Sequence, residues 1–206
     1  MSWSSRLEGV APFRVMNLQE AAQAREAAGH DVIHLEIGEP DFPTPAPIVE
    51  AGQQALNAGH TRYTPAAGLP ALREAIAAHY AECFGASVAP ERILVTPGAS
   101  GALLLASQLL VESGDRVLMA DPTYPCNRHF MALAGAAIDA VPVGEESGWQ
   151  LDAGLVATHW REDTRLAMLA TPSNPTGHML DADQLGDVQI SALLQKHFPN
   201  RNIAFY

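Results

Sequence analysis

The sequence predicts an α/β fold with a largely parallel sheet, on three observations. Short apolar runs alternate with helix-patterned stretches, the turns between them are brief and rich in Gly, Asp and Pro, and no solenoid period or low-complexity linker interrupts the series. Strands that alternate with helices through short turns build parallel sheets, because each return crossover is made by a helix.

The elements follow in order. Met16 to Ala28 is rich in helix formers, with Asn17 as the expected cap and Gly29 where a helix C-terminal glycine belongs. Val32–Ile37 alternates apolar and polar residues as a half-buried strand does, and ends in the stiff loop Gly38-Glu-Pro-Asp-Phe-Pro-Thr-Pro45. Thr44 is expected to cap a helix from about Ala46 to Ala58, stopped by Gly59. Beyond the connector Tyr63–Gly68, the residues Leu69, Leu72, Ile76, Tyr80 and Phe84 mark a helix with an apolar face on a core.

Arg92 to Gly144 repeats one unit. It reads as strand Ile93–Thr96, a helix from Ser100 to about Val111, strand Val117–Ala120, a helix near Asn127–Ala134 and strand Ala137–Val143. Asp152 begins another helix and Arg165–Ala170 forms another strand.

Composition narrows the function. Of the 206 residues 48% are hydrophobic and 17% charged, which is globular rather than disordered. Acidic residues outnumber basic ones 23 to 12 and no Lys or Arg run occurs, so neither nucleic acid nor an anionic membrane is an expected partner. The start has no apolar core of signal-peptide length, and the longest apolar stretch, around Ala102 to Val111, is too short to span a bilayer. A cytoplasmic protein is expected, with Cys83 and Cys126 as reduced structural thiols and no metal site.

Three strand ends carry the candidate chemistry. Thr96-Pro-Gly-Ala-Ser-Gly-Ala102 follows a strand and opens a helix, so its backbone N–H groups and the Ser100 hydroxyl suit a phosphate, or serve as an ordinary turn in which Ser100 caps. Tyr124, held between Pro122 and Pro125, offers a flat face to a planar ligand or packs on the rim of the core. Asn174 stands at the end of the run Leu166-Ala-Met-Leu-Ala-Thr-Pro-Ser-Asn174-Pro-Thr-Gly177, presenting an amide to a ligand or closing an Asx turn.

Taken together, Gly38-Glu-Pro-Asp-Phe42, Tyr63 before Gly68-Leu-Pro-Ala-Leu-Arg73, Thr96-Pro-Gly-Ala-Ser-Gly-Ala-Leu103, Asp121-Pro-Thr-Tyr-Pro125 and Pro172-Ser-Asn-Pro-Thr-Gly177 resemble the N-terminal half of a class I/II aminotransferase, a fold-type I pyridoxal phosphate enzyme. The resemblance runs from about Val10 to Leu185. It implies a three-layer sandwich with a mostly parallel sheet, an incomplete large domain over 46–185, preceded by an arm and small-domain segment over 1–45 and followed by a divergent tail over 186–206.

The resemblance also implies roles. Gly98, Ala99 and Ser100 match the cup for the phosphate of pyridoxal 5'-phosphate, Tyr124 the aromatic stacked on its ring, and Asn174 the donor to its phenolate oxygen. Gly38 matches the glycine whose backbone holds the substrate carboxylate. Tyr63 matches a tyrosine that reaches the phosphate of a neighbouring subunit, so a homodimer is implied. The activity implied is amino transfer between an amino acid and a 2-oxo acid.

The same family pattern requires a Schiff-base lysine that also moves the α-proton. Lys196 is the only lysine in the sequence, lies in Leu-Gln-Lys-His-Phe, and is expected to be a solvated helix residue. By this resemblance the catalytic lysine, the substrate-clamping arginine and the rest of the small domain are expected to be missing from the chain. Asn202 stands at the offset of the aspartate that pairs with the pyridine nitrogen, and the tail is expected to be foreign to the family, as a frameshift, early stop or fusion leaves. The chain alone is expected to be inactive and poorly soluble or partner-dependent. The alternatives are a non-catalytic cofactor-binding or assembly subunit paired with a lysine-bearing chain, or a fragment of a related lyase or decarboxylase.

Overall fold

The computed structural model describes residues 4, 7–8, 10–181 and 183–184. The tail 186–206, with Lys196 and Asn202, lies outside the described residues. The chain divides into two compact units, one from Arg14 to Ala99 and the other combining the residues up to Phe13 with those from Ser100 on.

The first unit holds α1 (Arg14–Ala27), α2 (Ala46–Asn57) and α3 (Pro70–Phe84), followed by a 3-10 turn at Pro90–Arg92. Pro70 sits at the first helical position of α3, where a missing N–H costs nothing, and Gly85 closes the helix in the left-handed region with its N–H on the Ala81 carbonyl at 3.1 Å. Arg73 ties α3 to the 3-10 turn by donating Nε to the Pro90 carbonyl at 2.9 Å.

Several expectations fail here. Val32–Ile37 and Ile93–Thr96 are not strands, because a strand exists only as part of a ladder and neither segment forms one among the described residues, the single Val95 N–H bond to the Ala67 carbonyl being too little to make one. The apolar side of α3 is not covered: Leu69, Leu72, Tyr80 and Phe84 are exposed, and none of α1, α2 or α3 buries a residue. Asn17 lies inside α1 rather than capping it, and α2 is capped by Pro45 with no side-chain hydrogen bond from Thr44 or any other residue. Gly29 does take positive φ beyond α1, as expected of a helix-terminating glycine.

The second unit is the α/β part. Helix α4 (Gly98–Leu110), of which the residues from Ser100 on belong to this unit, leads to β1 (Arg116–Asp121), α5 (Pro125–Leu133), β2 (Ala137–Pro142), a 3-10 turn at Glu145–Ser147, α6 (Ala153–His159) and β3 (Thr164–Met168). The sheet order is β2-β1-β3 and both pairings are parallel, with Leu118 opposite Asp139 on one side and Ala167 on the other. Asp152 caps α6 by accepting the Leu155 N–H at 2.7 Å.

Alternation along the central strand divides the core into two faces. Leu118 packs with Val141, Val143, Leu151, Val156 and Ala167 on the α6 side, while Val117 and Met119 pack with Val111 and Met131 on the α5 side. Burial on both faces explains why β1 reads as a continuous apolar run, and it produces the helix-sheet-helix layering. The sheet is parallel, as expected, but has only three strands among the described residues.

One ion pair crosses the β1–β2 pairing. Arg116 donates Nε to Asp139 Oδ2 at 2.7 Å and Nη2 to Oδ1, with the two side chains 25% and 18% exposed. The guanidinium holds the Asp139 carboxyl below its ordinary value, and the carboxylate raises Arg116 in turn. A depressed carboxyl stabilises the fold above its unfolded value and loses that stabilisation as pH falls through the folded one. Asp139→Asn is therefore expected to cost about 1–2 kcal/mol at neutral pH. The deficit against wild type should disappear well below about pH 4, where both chains lack the carboxylate. Urea midpoints at pH 7 and pH 3 check this, and an equal deficit at both would remove the charge from the explanation.

Candidate functional site

Helix α4 begins at Gly98, two residues before the expected start, so Gly98, Ala99 and Ser100 form its first turn. Gly98 has φ +70, all three residues are exposed, and the first turn carries no acidic side chain. The leading N–H groups of a helix have no intrahelical acceptors and carry its positive end, so this turn suits an anion. Thr96 fixes the approach by donating its hydroxyl to the Gly98 carbonyl at 2.8 Å.

Tyr124 follows the C-terminal end of β1 and caps α5. Its ring is half-buried and meets the Phe13 ring edge-on, with centroids 6.0 Å apart and planes at 84°. A hydrogen bond with the Cys126 side chain, together with partial burial, holds the Tyr124 phenol above its ordinary value.

Asn174 follows β3 and is exposed in the loop 171–177. The loop closes on itself: the Ser173 N–H donates to the His178 carbonyl at 2.8 Å and the Gly177 N–H to the Ser173 carbonyl at 2.7 Å. The Leu180 N–H donates to Thr171 Oγ1 at 2.9 Å. The peptide bonds before Pro122, Pro172 and Pro175 are cis.

The structure thus brings Tyr124 and Asn174 to the C-terminal ends of two hydrogen-bonded neighbours, β1 and β3, where an open parallel sheet binds ligands. Gly38, Tyr63, Gly98 and Ala99 belong to the other compact unit. There Gly38 is exposed in the loop after Glu36, and Tyr63 is fully exposed. The segment leading to Gly38 is held by His34, whose Nδ1 lies 2.6 Å from Glu36 Oε1 and whose Nε2 lies 2.9 Å from Glu26 Oε1. Those carboxylates raise the His34 imidazole above its ordinary value, Glu36 most of all, and His34 lowers Glu36.

Sequence reasoning missed Phe13 and Gln150. A single aromatic before a helix and a single amide in a turn carry no periodic signal, and their contacts lie twenty or more residues away in the chain.

The chain matches the family profile described as "Aminotransferase class I and II" over residues 30–198. It is 38% identical over 180 residues to the (5-formylfuran-3-yl)methyl phosphate transaminase of Methanocaldococcus jannaschii, a match covering 87% of this chain and 46% of that protein. It is 36% identical, with the same coverage, to a valine–pyruvate aminotransferase of Mycobacterium tuberculosis. Its structure superposes on that of an aminotransferase from Mycobacterium tuberculosis with a TM-score of 0.88 at 33% identity, covering 96% of this chain and 50% of that one. The aspartate aminotransferase of Thermus thermophilus with maleate gives a TM-score of 0.88 at 31% identity, covering 96% and 51%. The chain spans about half the length of the curated relatives it matches.

Proposed function

The chain belongs to the class I and II aminotransferase family, whose members are pyridoxal 5'-phosphate enzymes, and on that premise we propose that it forms the cofactor-binding part of an enzyme moving an amino group between an amino acid and a 2-oxo acid. The observation that carries this is the placement of Tyr124 and Asn174 at the C-terminal ends of adjacent parallel strands. The residues present fit the cofactor. An exposed first turn free of acidic side chains suits its phosphate, a half-buried aromatic suits its ring, and a loop amide suits its phenolic oxygen.

When bound, the cofactor supplies a carbonyl that takes up the amino group and a ring that withdraws electrons from the substrate Cα. Around it, the Gly98–Ser100 turn would hold the phosphate through backbone N–H groups and the Ser100 hydroxyl. Tyr124 would cover one face of the ring and keep water from it, and the Asn174 amide would donate to the phenolic oxygen and fix the ring's rotation. The Gly38 backbone would meet the substrate carboxylate. Tyr63 would reach the phosphate bound by the other subunit of a homodimer, and its full exposure supports that role. A cytoplasmic location is part of this reading, in keeping with the free thiols of Cys83 and Cys126.

In this reading the 206-residue chain does not turn over by itself, because the family's Schiff-base lysine also moves the α-proton, and Lys196, the sole lysine, lies in a sequence setting unlike that lysine's. The test is borohydride reduction of the cofactor-loaded chain, followed by peptide mass analysis and an amino-transfer assay. The expected result is cofactor binding without turnover and without a stable adduct at Lys196. An adduct there accompanied by amino transfer overturns it.

A second reading, an assembly subunit completed by a lysine-bearing chain, is favoured by the apolar side chains left exposed on α2, α3 and α4, including Leu56, Phe84, Leu105 and Leu109. Restoration of amino transfer on mixing with such a chain would separate it from a solitary inactive product.

A further inference from the structure

No residue of the loop 171–177 that carries Asn174 belongs to either core cluster, yet its two legs are joined from outside. Gln150 is 3% exposed and donates Nε2 to the Ala170 carbonyl at 3.2 Å and to the His178 carbonyl at 2.7 Å. Ala170 precedes the loop and His178 follows it, so one side-chain amide bridges its base. Both acceptors are carbonyl oxygens, which fixes the amide orientation: the NH2 group faces them, and its two hydrogens serve one leg each.

The backbone before Gln150 is built around this contact. Gly148 and Trp149 take consecutive positive φ values of +59 and +58, and Trp149 is the only non-glycine with positive φ among the described residues. That conformation costs a β-carbon residue roughly 1–2 kcal/mol, so the surrounding contacts must outweigh it. One of those contacts is with His178, which Gln150 also holds. The Trp149 N–H donates to the Gly144 carbonyl at 2.8 Å, and the Trp149 ring lies 6.3 Å from the His178 ring, while Leu151 on the other side of Gln150 is anchored in the core.

We infer that Gln150 is a positioning residue that clamps the loop carrying Asn174, an inference that rests on the reading of Asn174 as a donor to the cofactor. Gln150 touches neither cofactor nor substrate. It fixes the separation of the two loop legs, so that the Asn174 amide is presented in one place rather than searched for at each binding event, and the ordering cost is met on folding instead of on binding.

The test uses the full chain and two readouts. In cofactor-free protein, Gln150→Met keeps the side-chain length and removes both donors. Hydrogen exchange at the Ser173, Gly177 and Leu180 amides is expected to accelerate about tenfold or more, while β1 amides keep their protection. Unchanged exchange in the loop overturns the clamp. If Gln150→Met also unprotects β1, Gln150→Asn decides instead, since it keeps the donors but is one methylene too short to span both legs. Faster exchange confined to the loop supports the clamp, and none overturns it.

The second readout is pyridoxal phosphate affinity, followed by the absorbance and induced circular dichroism of the bound cofactor. Gln150→Met is expected to weaken binding about five- to thirtyfold. In an Asn174→Ala background the same change should add less than about twofold, because the two residues then act through one contact. A full additional loss in that background overturns the link to Asn174. A wild-type chain that binds no cofactor sinks the proposed function instead, and leaves the loop clamp to the exchange result.

Discussion

Replacing Leu118 by alanine is expected to cost the α/β unit about 3–4 kcal/mol, the range for a leucine whose neighbours cannot close the space left behind. Leu118 has no exposed surface and lies on the central strand, paired on both sides. Its neighbours Val141, Val156 and Ala167 come from β2, α6 and β3, so collapse around the void would have to move three elements whose backbones are already tied. Domains of this size have roughly 5–15 kcal/mol of stability in total, so the variant should lose a large part of it. Leu109→Ala makes the same chemical change at a side chain 83% exposed, and should cost under about 0.5 kcal/mol. Urea unfolding followed by far-ultraviolet circular dichroism compares the two, and equal midpoints would mean that the two-faced core is not what holds the sheet.

That contrast also explains how much of the structure the sequence disclosed. The strands β1, β2 and β3 and the helices α5 and α6 lie within about two residues of their expected positions, because each is defined by burial against near neighbours in the chain, and burial writes itself as apolar runs and periodicity. Val32–Ile37 and Ile93–Thr96 carry equally good strand patterns, but a strand is completed by someone else's backbone, and sequence pattern does not say whether that backbone is present. The helix α3 repeats the lesson with side chains: Leu72, Ile76 and Tyr80 are spaced for a core, and what would cover them is not encoded in their spacing.

The candidate site divides in the same way. The placement of Tyr124 and Asn174 beyond the ends of strands was legible, because each follows an apolar run in a turn-forming segment. Gln150 was not, since a glutamine beside Asp152 looks like any solvated turn residue until the fold brings Ala170 and His178 to it. The Arg116–Asp139 pair was hidden for a related reason, as strand register alone decides which charges meet across a parallel pair.

Gly68→Ala is expected to be the other severe substitution, and it bears on the cofactor as well as on stability. Gly68 has φ +99, and a β-carbon there would lie 2.6 Å from Val95 Cγ2 and 2.7 Å from Val95 Cβ. The two segments cannot simply separate, because the Val95 N–H donates to the Ala67 carbonyl at 3.1 Å. Backbone strain of roughly 1–2 kcal/mol and overpacking of about 1–3 kcal/mol together put the cost at about 2–5 kcal/mol. Val95 leads directly into Thr96-Pro97-Gly98, so any shift that relieves the clash is passed to the first turn of α4, and the affinity for inorganic phosphate and for pyridoxal phosphate should fall together. Trimming Val95 to alanine in the same chain removes the Cγ2 clash but leaves Val95 Cβ at 2.7 Å and the torsional strain, and should restore well under half of the lost stability. Thermal melts with phosphate titrations of the three variants decide the matter, and a Gly68→Ala chain with wild-type stability would show that this close approach is not a constraint of the folded protein.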